Sequence, residues 1–343
     1  MTTATAPSLV TVLGAGSWGT ALALHACRGH AVRLWTRSAA HREEMARGRV
    51  NQRYLPHARF PDALEVTDDL AAAIDGSALV ILAIPSHGMR EAAQKVRAAL
   101  EARGGPGPMF LIAAKGVEVD SLRSMADVVL EELGPTYGER VAVLGGPSFA
   151  AEVARGLPTV VVVASRPPAT AEAIQRLLAG DSLRVYVTDD VVGVELGGAF
   201  KNVIALAAGV CDGAGLGQNA RAALITRGLA EITRLALTLG AHPATLAGLA
   251  GLGDLVLTCT GGLSRNRRVG LALGEGRRLP EILAEMDMVA EGVRNTLSAQ
   301  RLAAREGVEM PITAVMHAIL YEDLSVRSAV DALMQRDLKP ERG

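Results

Sequence analysis

The sequence predicts an α/β fold in which a doubly wound, mostly parallel sheet is followed by an all-helical C-terminal domain. Uninterrupted apolar runs bounded by Gly or Pro alternate with helical patterns over the first 188 residues, which is typical of parallel strands buried on both faces. From about Asp189, Ala- and Leu-rich helical segments replace the strand-like runs. A chain of 343 residues is long enough for two domains. We therefore predict a sheet domain over residues 1–188 and a helical domain over 189–343.

The predicted elements of the sheet domain follow one another in regular alternation. The strands cover residues 9–13, 31–35, 78–85, 109–116, 140–146, 159–165 and 183–188. The first helix ends at about Arg28, and further helices cover 87–103, 121–133 and 169–179. Parallel strands need crossover connections, which are usually helices, so this alternation predicts the doubly wound arrangement.

Composition and charge exclude several classes of protein. Lys and Arg number 35 against 36 Asp and Glu, so no basic surplus favours nucleic acid or an anionic membrane as a partner. Cys27, Cys211 and Cys259 are widely spaced and odd in number, which favours buried, reduced thiols. The N-terminal "MTTATAPS" does not resemble a signal peptide, and no apolar run approaches the ~18 residues that span a bilayer. We expect a soluble, cytoplasmic protein.

A glycine-rich turn follows the first predicted strand. "GAGSWG" places Gly14, Gly16 and Gly19 in G-x-G-x-x-G spacing, opens a helix and precedes a second strand. Such glycines permit a tight turn and the close approach of a pyrophosphate, whose charge meets the helix N-terminus. A purely structural turn is the alternative, but this context predicts a Rossmann-type dinucleotide site.

The end of the second strand indicates which dinucleotide binds. An NAD site usually has a carboxylate there for the ribose hydroxyls. "LWTRSAAH" has none, whereas Arg37, with Ser38 beside it, suits a 2′-phosphate. The sequence therefore favours NADP(H) over NAD(H), with a solvated surface arginine as the alternative interpretation.

Polar residues interrupt strongly apolar sequence in the helical half. "GVELGGAFKNVIALAAGV", residues 193–210, has the composition of a buried helix, yet Lys201 and Asn202 lie at its centre. Burying an ammonium group is costly unless it is paired or its pKa falls. Other polar islands hold Lys115 at a strand end, Gly146 and Ser148 in a strand-end loop, Asp254 in "GLGDLVLTCT", and Ser264, Arg265 and Asn266 in "SRNRRVG".

These islands combine two lysines, an arginine, hydroxyl and amide donors and one carboxylate. The Ser-Arg-Asn stretch could cap a helix and bind an anion at its start, although an arginine run is more often a solvated helix face. Seven histidines without metal-ligand spacing predict no metal site. From the pattern alone, the chain is an NADP-linked dehydrogenase of a small anionic alcohol.

From about Val10 to past Pro311 the chain resembles the bacterial NAD(P)-dependent glycerol-3-phosphate dehydrogenases. The resemblance is carried, in one order, by "GAGSWGTALA", "NQRYLP", "AIPSH", "AAKGVE", "GGPSFAAEVARGLPT", "RVY", "GVELGGAFKNVIALAAG", "ALITRGLAEI", "GLGDLVLTCT", "SRNRRVG", "EGVRNT" and "GVEMPIT". It implies a nucleotide domain, a helical substrate domain and a homodimer. It also implies reversible hydride transfer between dihydroxyacetone phosphate and sn-glycerol 3-phosphate, a precursor of phospholipids.

The resemblance also implies roles for individual residues. Lys201 would be the general acid/base, and Lys115 would contact both substrate and cofactor. The implied substrate pocket contains Lys115, Gly146, Ser148, Lys201, Asp254, Ser264, Arg265 and Asn266. The implied cofactor site adds Ser17, Trp18, Arg37, Tyr54, Lys115, Ala150, Arg265, Val289 and Glu291 to the three glycines. Burial and neighbouring cations would lower the pKa of Lys201 and Asp254 would raise it, and the sequence leaves that balance open.

Three questions stay open at this level. Relatives often carry two basic residues after the second strand, whereas this chain has Arg37 and Ser38, so use of NAD(H) beside NADP(H) is left open. The rival enzyme is another two-domain NADP-dependent dehydrogenase, acting on a 3-hydroxy acid or a sugar-acid phosphate; the non-enzymatic rival is a nucleotide-sensing module. His87 could lie near the cofactor or simply start a helix.

Overall fold

The computed structural model describes residues 7–103, 107–286, 289–338 and 340–341. The part that carries the sheet consists of β1 (Leu9–Leu13), α1 (Ser17–Ala26), β2 (Ala31–Trp35), α2 (Ala39–Gly48), β3 (Val50–Asn51), β4 (Leu55–Arg59), β5 (Leu64–Thr67), α3 (Leu70–Ile74), β6 (Leu79–Leu82), α4 (Met89–Arg103), β7 (Met109–Ile112), α5 (Met125–Leu133), β8 (Val141–Gly145), α6 (Ala150–Ala154), β9 (Thr159–Ala164), α7 (Pro168–Leu178) and β10 (Leu183–Thr188). The helical part consists of α8 (Val191–Gly213), α9 (Gly217–Thr238), α10 (Pro243–Ala247), α11 (Asp254–Thr260), α12 (Arg265–Gly274), α13 (Leu279–Ala284), α14 (Glu291–Glu306), α15 (Pro311–Tyr321) and α16 (Val326–Met334).

Eight strands form one sheet with the spatial order β10-β9-β8-β7-β6-β1-β2-β5, and β3 pairs with β4 in a separate hairpin. Neighbours in the large sheet are parallel except for β8 and β9. Strands β9 and β10 therefore run opposite to the other six, and the prediction of a mostly parallel sheet is confirmed. The strand order reverses at β1, between β6 and β2, and the crevice at such a point is where these sheets bind ligands.

Two strands are shorter than the apolar runs that predict them. The runs 78–85 and 109–116 form strand only to Leu82 and Ile112. The residues that follow form loops at the carboxyl edge of the sheet, where residues such as Ala113 are buried. Their apolar character therefore reflects packing in the hydrophobic clusters around the sheet and not strand pairing.

The predicted helices are present with shifted ends. The helices over 87–103, 121–133 and 169–179 are observed as α4, α5 and α7, and the first helix ends at Ala26 and not near Arg28. The start of α5 is four residues late, since Ser124 caps it by accepting a hydrogen bond from the amide nitrogen of Asp127 at 3.2 Å.

The segment between β2 and β6 contains strands for which no pattern was recognised. Leu64–Thr67 extends the sheet beyond β2, and Val50–Asn51 pairs with Leu55–Arg59. Most side chains of the latter strand are exposed. Strands at an edge lack the continuous apolar run of central strands, so periodicity alone does not reveal them.

Helix α8 is the centre of the helical half and is buried along most of its length. Helix α12 packs against it with main chain touching main chain. A Cβ added at Gly209 would overlap the carbonyl oxygen of Arg267, and one added at Gly270 would overlap that of Leu206. Glycine at these positions is therefore required by the close approach of the two helices.

By length and composition alone, two helical stretches, Val191–Gly213 and Pro243–Thr260, could cross a membrane. The apolar window of the first is 89% buried inside the protein, as in the core helix of a water-soluble protein, so the test is weak evidence for a membrane span. The search for apolar runs in the sequence missed this helix, because Glu195, Lys201 and Asn202 interrupt it.

All three cysteines are free thiols. Cys211 and Cys259 are buried as expected, whereas Cys27 is half-buried. Burial raises the pKa of the Cys27 and Cys259 thiols to about 12. These thiols therefore stay protonated near neutral pH, which makes them poor nucleophiles.

Candidate functional site

The glycine turn between β1 and α1 leaves open the space that a pyrophosphate needs. Gly14 has φ +114°, and a Cβ there would lie 2.5 Å from the carbonyl oxygen of Ala83. A Cβ at Gly19 would overlap the carbonyl oxygen of Gly14. Helix α1 begins after Gly16 with no side-chain cap and no acidic residue in its first turn, so no carboxylate of that turn competes with an anion for the positive end of the helix dipole. The turn thus fits the phosphates of a dinucleotide.

Asn51 attaches this turn to the β3–β4 hairpin. Its side chain is fully buried, and Nδ2 donates to the carbonyl oxygen of Ala15 at 2.9 Å and to Thr20 Oγ1 at 2.8 Å. Its Oδ1 accepts from the amide nitrogen of Tyr54 at 3.3 Å, and Ser17 Oγ donates to the carbonyl oxygen of Tyr54 at 3.0 Å. Sequence reasoning missed Asn51, although it opens the stretch "NQRYLP".

The other expected cofactor residues lie on several different elements. Arg37 is exposed directly after β2. Ser38 beside it caps α2, with Oγ accepting from the amide nitrogen of His41 at 3.3 Å. Trp18 packs against the core of the sheet, Ala150 is the first residue of α6, and Val289 is exposed. His87 is exposed in the short 3₁₀ turn Ser86–Gly88, so the structure places it at a helix start.

Two lysines from different halves of the chain share one buried carboxylate. Lys201, on α8, is 6% exposed, and Nζ donates to Asp254 Oδ1 and to Thr258 Oγ1, the latter at 2.6 Å. Lys115 follows β7, and Nζ donates to Asp254 Oδ2 at 2.6 Å and to the carbonyl oxygen of Gly146 at 3.2 Å. Asp254 itself is fully buried. The expected residues Lys115, Gly146, Lys201 and Asp254 thus form one connected cluster.

Burial outweighs the attraction of Asp254 in setting the pKa of Lys201, a balance that the sequence left open. The pKa of Lys201 is lowered to about 8, mainly by desolvation. Asp254 opposes this shift, and the positive charge of Lys115 contributes to it. The ammonium can therefore release a proton near neutral pH, and the neutral amine can take one up.

A π-helical turn, Leu249–Gly253, presents Asp254 to the two lysines. Such turns are rare and occur often at functional sites. A Cβ at Gly197 would lie 2.8 Å from the carbonyl oxygen of Ala250, so α8 passes directly over this turn. The glycines of "GLAGLGDL" and "ELGGAF" allow that approach.

A second polar chain runs from α8 to the start of α14. Asn202 Oδ1 accepts from Asn266 Nδ2 at 2.9 Å, and Asn266 Oδ1 accepts from the amide nitrogen of Gly292 at 2.9 Å. Both side chains are buried. Asn266, expected in the substrate pocket, thus has both ends of its amide engaged within the protein, next to the expected cofactor residue Glu291.

The "SRN" stretch forms the N-terminus of α12. Ser264 caps the helix by accepting from the amide nitrogen of Arg267 at 3.2 Å. Arg267 pairs with Asp212, which also binds Arg221, so the solvated-face interpretation is wrong for Arg267. Arg265 is half-buried, and within the described ranges it makes no hydrogen bond or ion pair. Burial lowers its pKa, against the attraction of Glu291.

Glu291 joins the helical half to the loop after β6. Its Oε1 accepts from the amide nitrogen of Ser86 at 3.1 Å, and its Oε2 accepts from Ser86 Oγ at 2.6 Å. Ser148, in the loop after β8, donates through Oγ to the carbonyl oxygen of Gly146 at 3.1 Å. Hydrogen bonds thus join the loops after β6 and β7 to the helical half, and the loop after β8 to the loop after β7, at the carboxyl edge of the sheet. No group of three potential metal ligands occurs among the residues that the structure describes.

The lysine content of the chain is itself a signal that sequence reasoning missed. The chain has only four lysines, Lys95, Lys115, Lys201 and Lys339. Lys95 pairs with Glu91 on the exposed face of α4, and Lys339 lies outside the described residues. The chain otherwise uses arginine, so the presence of two of its four lysines at one carboxylate, Asp254, distinguishes this cluster.

Two more buried polar residues beside the site were not predicted. Glu195, two turns before Lys201, accepts from the amide nitrogen of Ala126 at 2.8 Å, and burial raises its pKa to about 7. Asn295, on α14, contacts both halves of the chain. Glu195 lies in the same apolar stretch as Lys201, so its charge was a usable signal.

Two family models match almost the whole chain. Residues 9–171 match the NAD-dependent glycerol-3-phosphate dehydrogenase N-terminus, and residues 190–331 match the corresponding C-terminus. A protein of Geobacter sulfurreducens named glycerol-3-phosphate dehydrogenase (NAD(P)+) is 54% identical over 332 residues, which cover 96% of this chain and 98% of the relative. A protein of the same name from Anaeromyxobacter dehalogenans is 52% identical, with 96% and 99% covered.

A solved structure agrees with these matches. The crystal structure of glycerol-3-phosphate dehydrogenase from Coxiella burnetii has a TM-score of 0.91 and 43% sequence identity, and the match covers 97% of this chain and 100% of that one. The matched ranges span the segments that carry both the nucleotide turn and the lysine cluster. The chain belongs to the NAD-dependent glycerol-3-phosphate dehydrogenase family.

Proposed function

We propose that the chain catalyses reversible hydride transfer between dihydroxyacetone phosphate and sn-glycerol 3-phosphate, using NADP(H) and also NAD(H), and so supplies glycerol 3-phosphate for phospholipid synthesis. The observation that carries the proposal is the convergence of Lys115 and Lys201 on buried Asp254. This cluster lies at the carboxyl edge of the sheet, where the nucleotide turn also opens. The family names of the relatives support the choice of substrate.

The proposed cofactor residues fall into two groups. Gly14, Gly16, Gly19 and the first turn of α1 would hold the pyrophosphate, and Arg37 would meet a 2′-phosphate. When bound, the nicotinamide supplies or accepts the hydride. Ser17, Trp18, Tyr54, Ala150 and Glu291 would line the rest of the site, with Val289 at its rim.

The protein's own part in the reaction is proton transfer and orientation. In the reducing direction, the Lys201 ammonium gives its proton to the carbonyl oxygen at C2 as that carbon gains a hydride, so the ketone becomes a secondary alcohol and the lysine becomes neutral. Asp254 and Thr258 fix Nζ before the transfer. In the oxidising direction the neutral amine takes the proton back.

Positive charge at the start of α12 suits the substrate phosphate. Arg265 makes no ion pair within the described part of the chain. Its positive charge and the N–H groups at the start of α12 would both attract an anion. Ser264 and Asn266 would hold this end of the pocket in shape. Lys115, Gly146 and Ser148 would close the opposite side, next to the reacting carbon.

The proposed activity can be tested with the purified protein. NADPH oxidation, followed by absorbance, is expected with dihydroxyacetone phosphate, at a kcat/KM at least about 100-fold above that for 2- or 3-oxo acids, because those lack a phosphate for Arg265. Since the pKa of Lys201 is lowered to about 8, ketone reduction should slow above that pH and alcohol oxidation should slow below it. A preference for an oxo acid would refute the proposal.

Cofactor selectivity is expected to depend on Arg37. Arg37→Ala should lower kcat/KM for NADPH about tenfold and leave that for NADH within about twofold, because only NADPH presents a 2′-phosphate. Arg47→Ala, which removes an exposed arginine from the nearby helix α2, is the matched control. Equal losses with both cofactors would assign Arg37 to the protein surface.

We also propose a cytoplasmic homodimer. The first half of α9 supports an assembly, because small apolar residues such as Ala222 and Ala223 are exposed on it. Free cysteines support a reducing compartment. Sedimentation at micromolar concentration should give the mass of two chains, and a stable monomer would contradict the proposal.

A further inference from the structure

Asn295 is a buried amide that touches both halves of the site. It lies on α14, one turn after Glu291, and is 1% exposed. Its Nδ2 donates to the main-chain oxygen of Lys115 at 3.2 Å and to that of Ala199 at 3.0 Å. These partners are 180 and 96 positions away along the chain. One amide group therefore joins three distant segments.

Each partner carries one of the two lysines. The first oxygen belongs to Lys115 itself, in the loop after β7, and Ala199 precedes Lys201 by two residues on α8. Glu291, one turn earlier on the same helix, holds the loop after β6 through Ser86. The start of α14 thus binds the loops that follow two adjacent strands of the sheet.

The packing around Asn295 leaves little freedom for the Lys115 segment. A Cβ at Gly116 would lie 2.6 Å from Ser86 Cβ and 3.2 Å from Asn295 Oδ1. That Oδ1 is buried and has no hydrogen-bond partner among the described residues. The hydrogen bonds that orient the side chain are therefore its two donated ones.

We propose that Asn295 is a positioning residue, which holds the Lys115 segment of the sheet domain against α8 so that Lys115 and Lys201 meet at Asp254. The role rests on the proposed function, because it matters only if both lysines serve the same reaction. If Lys115 moves away, a positive neighbour is lost from Lys201 and the carboxylate is left to Lys201 alone. Both changes raise the pKa of Lys201.

The test uses Asn295→Ala and Asn295→Ser, with Thr296→Val as the matched control. The serine variant keeps one donor and provides a second variant if the alanine variant folds poorly. Thr296 is equally buried on the same helix, but its Oγ1 donates at 2.8 Å to Gly292 within α14. Valine keeps its shape and removes a bond that does not cross between segments.

Asn295→Ala is expected to lower kcat about 10- to 100-fold, the range seen when a supporting group is lost, with NADPH affinity within about twofold. The serine variant should lie between it and the unchanged protein. The pH above which ketone reduction slows should be higher in both Asn295 variants and unchanged in Thr296→Val. A lower melting temperature with unchanged kcat and an unchanged pH dependence of ketone reduction would show that Asn295 is merely structural.

A second readout needs no turnover. Protein labelled with ¹³C-lysine should give resolved side-chain signals from its four lysines, with exposed Lys95 as the internal standard. The Lys201 signal should titrate at higher pH in Asn295→Ala than in the unchanged protein. If the unchanged protein fails to reduce dihydroxyacetone phosphate but this shift occurs, the proposed function fails and the positioning role stands. No shift overturns the positioning role whatever the substrate.

Discussion

Lys201→Met is expected to lower kcat for dihydroxyacetone phosphate reduction by about 10²–10⁴-fold, the usual contribution of a positioned acid. Methionine has a similar length and no charge, so the core around α8 is kept while the proton donor is lost. Asp254 is not left alone, because Lys115 still donates to it. NADPH affinity, measured by fluorescence titration, should stay within about twofold, since no cofactor group is expected to depend on Lys201.

The control for this variant is Lys95→Met, which removes a lysine from an exposed ion pair on α4. It should keep kcat within about twofold, because exposed pairs contribute little. Single-turnover kinetics separate proton transfer from product release. Turnover near that of the unchanged protein in Lys201→Met would exclude this lysine as the acid, whichever group then replaced it.

Asp254→Asn should have the largest combined effect on stability and activity. The carboxylate is fully buried and binds both ammonium groups, and breaking a buried ion pair from one side costs about 3–5 kcal/mol. Denaturant unfolding should show this loss, with kcat reduced at least about 100-fold. Asp181→Asn, at an exposed position between α7 and β10, is the control and should leave both quantities nearly unchanged.

The direction of the pKa change distinguishes this mechanism from general damage. Asp254 raises the pKa of Lys201 and Lys115 lowers it. Asp254→Asn should therefore move the Lys201 titration to lower pH, whereas Lys115→Met should move it to higher pH. ¹³C-lysine NMR measures both. Shifts of the same sign in the two variants would show that the charges of Asp254 and Lys115 do not control the pKa of Lys201 in this way.

The parts of the fold that the sequence could predict are those controlled by neighbours along the chain. Buried central strands appear as apolar runs, and the glycine turn is recognisable because only glycine permits φ +114° and the contact at Ala83. Edge strands such as Leu55–Arg59 lack that pattern because most of their side chains are exposed. The ends of β6 and β7 were placed too late because buried loops are as apolar as strands.

The candidate site was predictable where a residue type conflicts with its surroundings. Lys201 was found because an ammonium in an apolar helix needs an explanation, and the rarity of lysine would have strengthened that inference. Asn51 and Asn295 were not found, because an asparagine is unremarkable until its amide meets carbonyl groups far away in the chain. Such partners follow from tertiary packing, which single-chain periodicity does not encode.

The contact between α8 and α12 at Gly209 and Gly270 has a consequence for substrate length. Because main chain meets main chain there, the backbone separation of α8, which carries Lys201, and α12, which carries Arg265, does not depend on intervening side chains. The spacing between the proposed proton donor and the proposed phosphate site is therefore anchored by packed main chain. Ketones whose carbonyl and phosphate are one carbon further apart would be rejected by geometry, even though they carry the same chemical groups.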